Sequence, residues 1–464
     1  MNQSILEPHH HMYWLLTGAL FCYLAPDLAS TSMALDGLVY ANIAQLLNDS
    51  QGSFWQLPFY YTDVARFTDH PPLGIYLQSM WMTLLGNAWW VDKLWSIVLT
   101  GLVLLLTVIA AGQVTHAGHP APRWWLILLL ALMPPFTYTL KNGFLEGLLC
   151  IGFLAIVCCV TRPTRQTAWA VLAGALTAAC VLIKGPVGLF PLAIPGVLLL
   201  AETDWRRQLY HTIKTSAVML TTAAIALAIV LLPDSAQSWL QAYLQFQVFD
   251  SITGVRPAQH GRLYLLQHLA VSLLILGLLV ALVTRGRPHW QRTSLMWLGL
   301  GFAFVLPLLL SGRHFRHYLL PALPFFALAA WAALPTIKLG PRLARCLNIV
   351  FWWPAALAGV LMLVSWGHPG DHAETQTDAA IVAKAAAEQA PAYCAGVSHL
   401  ELAAYLYRQH QVQSTNLVDR WLICADPPTA NNTGAVWQVA ANLSDGVKLW
   451  HKAARESRHP TDNN

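Results

Sequence analysis

The stretch Leu94–Ala111, LWSIVLTGLVLLLTVIAA, decides the fold, because it continues for about 18 residues without a charged side chain and so matches a bilayer-crossing helix. About ten further apolar runs of similar character flank it, which makes about eleven spans in all. In chain order the runs are Tyr13–Leu28, Leu94–Ala111, Trp124–Met133, Phe144–Val160, Ala168–Ile183, Leu189–Leu200, Ile213–Leu232, Leu263–Val283, Ser294–Leu310, Leu319–Leu334 and Leu347–Trp366. The sequence therefore predicts an all-α polytopic membrane protein.

The composition agrees with this prediction and excludes several classes of protein. Of the 464 residues, 56% are hydrophobic and 11% charged, whereas about 25% of a soluble globular chain is charged. A soluble enzyme and a disordered chain are therefore excluded. Continuous apolar runs also exclude an outer-membrane barrel, whose strands alternate. The net charge of +5 comes from scattered cations, so no nucleic-acid partner is expected.

The distribution of cations between loops predicts the topology. Met1–His11 lacks Lys and Arg, so the first span is expected to be a retained anchor rather than a cleavable signal. With the N-terminus inside, the cytoplasmic loops hold about twelve cations in about 53 residues, against about seven in about 113 residues outside. The inner cations are Arg123, Arg162, Arg165, Arg206, Arg207, Lys214, Arg285, Arg287, Arg292, Lys338, Arg342 and Arg345. The large outer segments, residues 29–92 and 367–464, are predicted to be periplasmic.

Two domains are expected, a transmembrane domain over residues 1–366 and a small soluble α/β domain over residues 367–464. The tail is polar, with helix-like patterns at Glu374–Gln389 and Leu400–Arg408. Strand-like patterns are Tyr393–Val397, Trp421–Ala425 and Ala435–Ala440. Cys394 and Cys424 are the only cysteines of the tail. An oxidising compartment would permit a disulfide between them, but the sequence does not give their distance.

The first outer segment contains an amphipathic helix, LDGLVYANIAQLL, at Leu35–Leu47. Its apolar positions share one face, which predicts a helix lying along the membrane surface. Asp36 begins this helix, where its carboxylate could meet a substrate at the bilayer surface or could simply cap the helix. The same segment continues with FTDHPPLG at Phe67–Gly74, in which the two prolines can begin another helix.

Further ionisable residues lie near the predicted outer ends of the spans. Such groups are costly at membrane depth and often functional, although a single one at a span end could also extend to the interface. They are Lys141, Glu146, Lys184, Arg256, Arg262, Arg313 and Arg316. Together they bring carboxylates and cations to one membrane face. Transfer of a sugar from a lipid phosphate needs a carboxylate base and cations that stabilise the departing phosphate.

The order of these motifs resembles the polyprenyl-phosphate-sugar-dependent glycosyltransferases of the GT-C fold. Within that group, it resembles the bacterial branch of the lipid A aminoarabinose transferases and the relatives of the protein O-mannosyltransferases. The landmarks are Asp36 and Tyr40, Asp69–Leu73, Lys184–Pro186 and Tyr318–Pro324, all within about residues 10 to 335. The resemblance implies about 11–13 transmembrane helices.

The resemblance also implies roles for individual residues. Asp36 corresponds to the catalytic base and Glu146 to a second acidic residue, while Tyr40 and Asp69 are expected to contact substrate. The residues expected at the donor phosphate are His70, Lys184, Arg256, Arg313, Arg316 and Tyr318. Gly37 replaces a common acidic neighbour and His70 replaces a common lysine, so the charge at the site is expected to be lower and to vary with pH.

The resulting hypothesis is a metal-independent, inverting transfer from an undecaprenyl-phosphate-linked sugar to an envelope acceptor, namely lipid A, a glycan or a protein. It places the protein in the bacterial inner membrane with its active site facing the periplasm. No cofactor and no metal site are expected, although other GT-C branches use a metal and a requirement stays open. The alternatives are a polytopic transporter or lipid flippase, which predicts charges near the bilayer midplane, and a non-catalytic assembly subunit.

Overall fold

The structure, a computed structural model, describes residues 8–60, 66–114, 121–162, 164–249, 260–310, 312–335, 346, 350–386, 391–394, 400–414, 420–426 and 437–452. Two compact units make up the chain. The first unit contains Met1–Ser30, Phe54–Gln56 and Thr68–His368, and the second contains Thr31–Ser53, Leu57–Phe67 and Pro369–Asn464. The second unit therefore combines the tail with two stretches of the predicted outer segment 29–92, namely Thr31–Ser53 and Leu57–Phe67.

The first unit is helical, as the apolar runs predict. Its helices are α1 (Pro8–Ala29), α3 (Leu73–Leu85), α4 (Trp89–Val114), α5 (Trp125–Ala131), α6 (Pro134–Leu140), α7 (Leu145–Val160), α8 (Gln166–Lys184), α9 (Ile194–Leu198), α10 (Trp205–Val230), α11 (Asp234–Tyr243), α12 (Arg262–Val283), α13 (Arg292–Val305), α14 (Leu323–Ala332) and α15 (Trp353–Val364). The second unit supplies α2, which is Leu35–Asn48.

In the described part of the chain, six helical segments are long and apolar enough to cross a membrane, or seven if the bent pair α6 and α7 counts as one span. The six are His11–Ala29, Trp89–Gln113, Gln166–Ala201, Gln208–Val230, Arg262–Val283 and Arg292–Leu310. These agree with a multi-pass membrane protein. Helices α6 and α7 meet at an angle of 113°.

Prolines explain why several predicted spans are broken into shorter pieces. α5 ends before Pro134, which begins α6. Pro191 lies in a 3-10 segment, Gly185–Ala193, and Pro321 lies in another, Arg316–Ala322. Proline has no backbone N–H and its ring clashes with the preceding turn, so the chain continues as short helices and 3-10 turns rather than as one α-helix.

The second unit has an α/β arrangement in its tail. Among the tail residues that the structure describes, two helices, α16 (Ala373–Ala385) and α17 (Leu400–His410), accompany four strands, β1 (Ala392–Tyr393), β2 (Trp421–Cys424), β3 (Trp437–Asn442) and β4 (Lys448–Lys452). The sheet order is β1-β2-β4-β3, with β1 parallel to β2 and the other pairs antiparallel. A disulfide joins Cys394 to Cys424, whose Cα atoms are 5.3 Å apart. The sequence patterns predicted three of the four strands, and β4 was missed.

Helix α2 packs against the tail instead of presenting its apolar face to a membrane surface. Its Leu38 and Leu46 are buried in a hydrophobic cluster with residues of α17. Asn42 donates to the carbonyl of Ala404 at 2.8 Å, and Arg408 donates to Gln45 Oε1 at 2.7 Å. The predicted surface orientation is thus wrong for these positions, because α17 supplies the apolar partner that the sequence pattern could not identify.

Candidate functional site

Glu146 lies in the first turn of α7 and is 1% exposed. The chain reaches it through a tight connection after α6, where Gly143 adopts a φ of 63° that favours glycine. Phe144, two residues before Glu146, has extended backbone geometry and occupies the N-cap position of the helix. The turn therefore delivers a carboxylate into the interior of the first unit, at the sharp bend between two apolar helices.

Lys184 meets this carboxylate from the end of α8. Its Nζ donates a hydrogen bond to Glu146 Oε1, and both side chains are almost fully buried. The helix ends there because Gly185 has a φ of 69°, a left-handed conformation that side chains rarely adopt. A Cβ at Gly185 would also collide with the Tyr243 hydroxyl. Glycine at this position thus allows the chain to turn and fixes the position of Lys184 at the end of α8.

The segment Arg316–Ala322 adds aromatic and imidazole groups to the pair. His317 Nε2 lies 3.6 Å from Glu146 Oε1, and the His317 ring stacks on Phe144 with centroids 4.3 Å apart. Lys184 Nζ lies 4.6 Å from the centroid of the Tyr318 ring, within cation–π range. One carboxylate oxygen is therefore approached by an ammonium and an imidazole, while a tyrosine covers the ammonium.

Two arginines extend this group of residues. The Arg316 guanidinium lies 3.3 Å from the centroid of the Tyr138 ring, and stacking of this kind holds a guanidinium in a fixed plane. Arg313 is half-buried and acts electrostatically on His70. The cation-rich motif before Tyr318 therefore contributes to the same region as Lys184.

His70 also belongs to this region. Its pKa is lowered to about 3, mainly by burial and then by the charge of Lys184, against the opposing effects of Asp69 and Glu146. The imidazole is therefore neutral at physiological pH in the absence of a ligand. A neutral imidazole can still donate one hydrogen bond to a phosphate oxygen.

The second carboxylate oxygen of Glu146 has a different environment. In the part of the chain that the structure describes, Glu146 Oε2 is buried and makes no hydrogen bond. A buried carboxylate oxygen without a donor costs free energy, so such an atom often marks a place where a ligand binds. A bound ligand could therefore donate a hydrogen bond to Glu146 Oε2, and an anionic group of that ligand could contact the neighbouring cations Lys184 and Arg313.

Asp36 and Tyr40 lie in the second unit, on α2. Ala34 is the N-cap of this helix and Asp36 falls in its first turn, so Asp36 is not the capping residue that the alternative interpretation required. The Asp36 side chain is half-buried, whereas Tyr40 is 2% exposed. Burial, Tyr393 and the Asp36 charge together raise the pKa of the nearby Tyr60.

The structure thus brings together seven of the predicted site residues and places two others in the second unit. Those brought together in the first unit are Asp69, His70, Glu146, Lys184, Arg313, Arg316 and Tyr318. Asp36 and Tyr40 belong to the second unit, and Arg256 lies outside the described residues. Sequence reasoning missed His317, Phe144 and Tyr138. His317 could have been found, because it directly precedes Tyr318 in the GRHFRHY motif.

Within the described residues, no group of three or more His, Cys, Asp or Glu side chains could hold a metal ion.

Comparison with solved structures identifies the fold. The chain resembles ArnT from Cupriavidus metallidurans bound to undecaprenyl phosphate, with a TM-score of 0.61 and 14% identity over 96% of this chain and 98% of that one. The apo state of the same protein gives a TM-score of 0.62 at 15% identity, covering 95% and 97%. The archaeal oligosaccharyltransferase AglB from Archaeoglobus fulgidus, in complex with an inhibitory peptide and a dolichol-phosphate, gives 0.52 at 13% identity, covering 89% and 65%.

No protein-family model matches the sequence, and no curated protein matches it significantly. The solved structures nevertheless agree over almost the whole chain. The chain has the fold of the GT-C glycosyltransferases, as its sequence motifs predicted.

Proposed function

We propose that the protein is a membrane glycosyltransferase, which moves a sugar from an undecaprenyl-phosphate-linked donor to a lipid, glycan or protein acceptor at the periplasmic face of the inner membrane. The observation that supports the proposal is the buried Glu146–Lys184 pair with Tyr318, His70 and Arg313 around it, within a GT-C fold. Carboxylates and cations in one place suit the chemistry of this transfer.

The cations of the cluster would hold the donor phosphate. Lys184 offers a point charge and Arg316 a planar guanidinium that can bind two phosphate oxygens at once. His70 would add a hydrogen bond from its neutral ring, and Tyr318 one from its hydroxyl. As the bond between sugar and phosphate breaks, negative charge grows on the phosphate, and the cations stabilise it.

The acceptor would be activated by a carboxylate. In the proposed step, an acceptor oxygen attacks the anomeric carbon, the bond from that carbon to the phosphate oxygen breaks, and undecaprenyl phosphate leaves. The acceptor proton passes to the carboxylate base. We assign this role to Asp36, as the resemblance in sequence implies, and we assign Glu146 as the second acidic residue. A single displacement inverts the configuration at the anomeric carbon, and no metal is required.

The solved relatives support a lipid-phosphate donor and do not identify the acceptor. ArnT is bound to undecaprenyl phosphate in one of the similar structures, and AglB is bound to a dolichol-phosphate in another. Both ligands combine a long polyprenyl chain with a phosphate. The cationic cluster of this chain fits the phosphate of such a lipid.

The decisive experiment is mass spectrometry of lipid A, envelope glycans and glycoproteins from a deletion strain, complemented at matched expression. Wild type should restore a sugar mass that the deletion removes, whereas Asp36→Asn and Lys184→Gln should not. The exposed acid Asp445 provides a matched control, and Asp445→Asn should restore the sugar fully. Restoration by Asp36→Asn would contradict the base assignment. An unchanged set of glycans in the deletion strain, with the gene expressed, would instead favour a transporter or lipid flippase.

Purified protein tests the donor class and the mechanism separately. Undecaprenyl phosphate should bind to wild type and bind at least about tenfold more weakly to Lys184→Gln, because one charge-assisted contact contributes about 1.5–3 kcal/mol. The anomeric configuration of the product tests inversion, and activity after chelation tests metal independence. Retention of configuration or loss of activity in chelator would overturn those two parts of the proposal alone.

A further inference from the structure

A second cationic region lies at the other end of α8. A cavity of about 450 Å³ is lined by Arg165, Gln166 and Thr167 from the start of this helix and by His211, Lys214 and Thr215 from α10. None of these residues takes part in the cluster around Glu146. The cavity is therefore separate from the proposed active site.

The length of α8 separates the cavity from the proposed active site by about one membrane thickness. Lys184 is the last residue of the helix and Arg165 is its N-cap. A helix of 19 residues is about 28 Å long, close to the ~30 Å of a bilayer's hydrocarbon core. The two cationic regions thus lie near opposite surfaces of the membrane. The positive-inside pattern assigns the surface of Arg165 to the cytoplasmic side.

The two helices pack against each other, and the cavity forms a wedge between them near one end. A Cβ at Gly174 would lie 2.5 Å from the Met219 carbonyl oxygen, so the helices are in close contact there. Arg165 and His211 lie about 13 Å from this contact along their helices. The wedge opens toward those residues and is wide enough at its mouth for a small polar group.

The two cations at the mouth of the wedge have no anionic partner among the residues that the structure describes. In the described part of the chain, neither Arg165 nor Lys214 forms an ion pair or a hydrogen bond through its side chain. Both side chains line the same cavity, so an anion bound there would be attracted by both cations. The hydroxyl groups of Thr167 and Thr215 offer further hydrogen bonds to such an anion.

The surface next to the cavity is apolar. Only 11% of the apolar window of α10 is buried, and Val171 of α8 and Ile225 of α10 are 44% and 55% exposed. Val171 follows Thr167 by four residues and Ile225 follows Val218 by seven, so each shares a helix face with a residue that lines the cavity. An anion bound in the wedge would therefore have a hydrocarbon-compatible surface directly beside it. This combination fits a lipid with a charged headgroup and not a free ion.

We propose that this cavity binds the phosphate headgroup of an anionic glycerophospholipid from the membrane leaflet opposite the active site. Arg165 and Lys214 contact the phosphate, and the acyl chains lie along the exposed face of α10. Basic pockets between membrane helices suit anionic headgroups, because each cation near the headgroup adds about 1 kcal/mol of attraction. The site is independent of the proposed transfer reaction.

Native mass spectrometry of the purified full chain tests the proposal, with phosphatidylglycerol, phosphatidylcholine and inorganic phosphate as probes. Wild type should retain phosphatidylglycerol in preference to phosphatidylcholine, and the double variant Arg165→Gln/Lys214→Gln should bind it about 30-fold more weakly. The matched control is Arg285→Gln/Arg287→Gln, which removes two exposed cations that do not line the cavity. That control should bind phosphatidylglycerol as wild type does.

A second variant tests the cavity without altering its charge. Ala168 lines the wedge and is exposed, so Ala168→Trp should fill the space, lower the affinity and leave thermal stability near that of wild type. Equal affinity for the two lipids, an equal loss in the control, or no effect of either cavity variant would overturn the proposal. Displacement of the lipid by millimolar inorganic phosphate would show a site for free phosphate and would overturn the lipid assignment.

Discussion

Lys184 and Glu146 form a buried ion pair that joins the end of α8 to the start of α7. The exposed fractions of the two side chains are 7% and 2%. Both charges have therefore lost most of their hydration, a cost that only the partner and further hydrogen bonds can offset. Since Gly185 ends α8 directly after Lys184, the backbone turn and the ion pair position each other.

The first prediction concerns this pair. Glu146→Gln leaves the Lys184 ammonium buried without its anion, and we expect a loss of about 3–5 kcal/mol in the free energy of unfolding. Lys184→Met should cost a similar amount, and the double variant should cost clearly less than the sum, because both charges are then absent. Unfolding in detergent, followed by intrinsic fluorescence, measures these values. Additive costs would contradict a direct pair.

The Lys141–Asp27 pair provides the comparison. Its N–O distance is 2.8 Å, but the side chains are 22% and 37% exposed. Solvent screens such a pair, so Asp27→Asn should cost no more than about 1 kcal/mol.

Gly185→Ala is the second prediction. The new Cβ would collide with the Tyr243 hydroxyl, and alanine is strained at the φ of 69°, so we expect a cost of about 2 kcal/mol or more. Removing the hydroxyl in Gly185→Ala/Tyr243→Phe should restore part of the loss. Gly196→Ala is the control, because a Cβ there meets nothing within 4 Å. Thermal unfolding of the three variants measures the effect, and equal shifts for Gly185 and Gly196 would contradict it.

The third prediction concerns pH. Folding lowers the pKa of His70 from 6.5 to about 3. Between these values the unfolded chain binds more protons at His70 than the folded chain does, so the free energy of unfolding falls as the pH decreases below 6.5. His70→Asn removes this contribution, and its midpoint of thermal unfolding should fall less than that of wild type between pH 7 and pH 5.

His289→Asn is the control for the pH experiment, because His289 is exposed. It should follow the wild-type curve. A His70→Asn curve that runs parallel to wild type over the whole range would refute the assignment. Undecaprenyl phosphate should reduce the difference, since a bound anion favours the protonated ring.

The helical membrane fold and most of the first-unit cluster could be predicted from the sequence. Uncharged runs such as Leu94–Ala111 can bury their backbone groups in a bilayer only as helices, so the fold class followed directly. Glu146 and Lys184 were selected because ionisable groups near span ends are rare, and Tyr318 because of the resemblance to the GT-C glycosyltransferases. Their contacts with one another depend on how α7, α8 and the Arg316–Ala322 segment pack, which no local pattern contains.

The errors have equally physical causes. The apolar face of α2 was assigned to a membrane surface, but periodicity gives only the direction of a face and not its partner. That partner, α17, lies more than 350 residues further along the chain, as the Asn42–Ala404 separation of 362 illustrates. The 3-10 segments were missed because prolines such as Pro191 and Pro321 break an apolar run without changing its hydropathy.

The disulfide in the second unit carries the last prediction. Cys394 and Cys424 are 30 residues apart in sequence, and closing a loop of this length restricts the unfolded chain enough to stabilise the folded state by about 3.6 kcal/mol. We expect Cys394→Ser/Cys424→Ser to lower the free energy of unfolding by about that amount, with the loss centred on the sheet, because the bond links the residue after β1 to the last residue of the adjacent strand β2. Cys346→Ser is the control, since that cysteine is exposed and free, and it should leave the free energy of unfolding unchanged.

Alkylation of the full chain with a mass tag, with and without prior reduction, checks the bond itself. Wild type should gain two additional tags only after reduction. Tagging of Cys394 and Cys424 without reductant would show that the bond does not form.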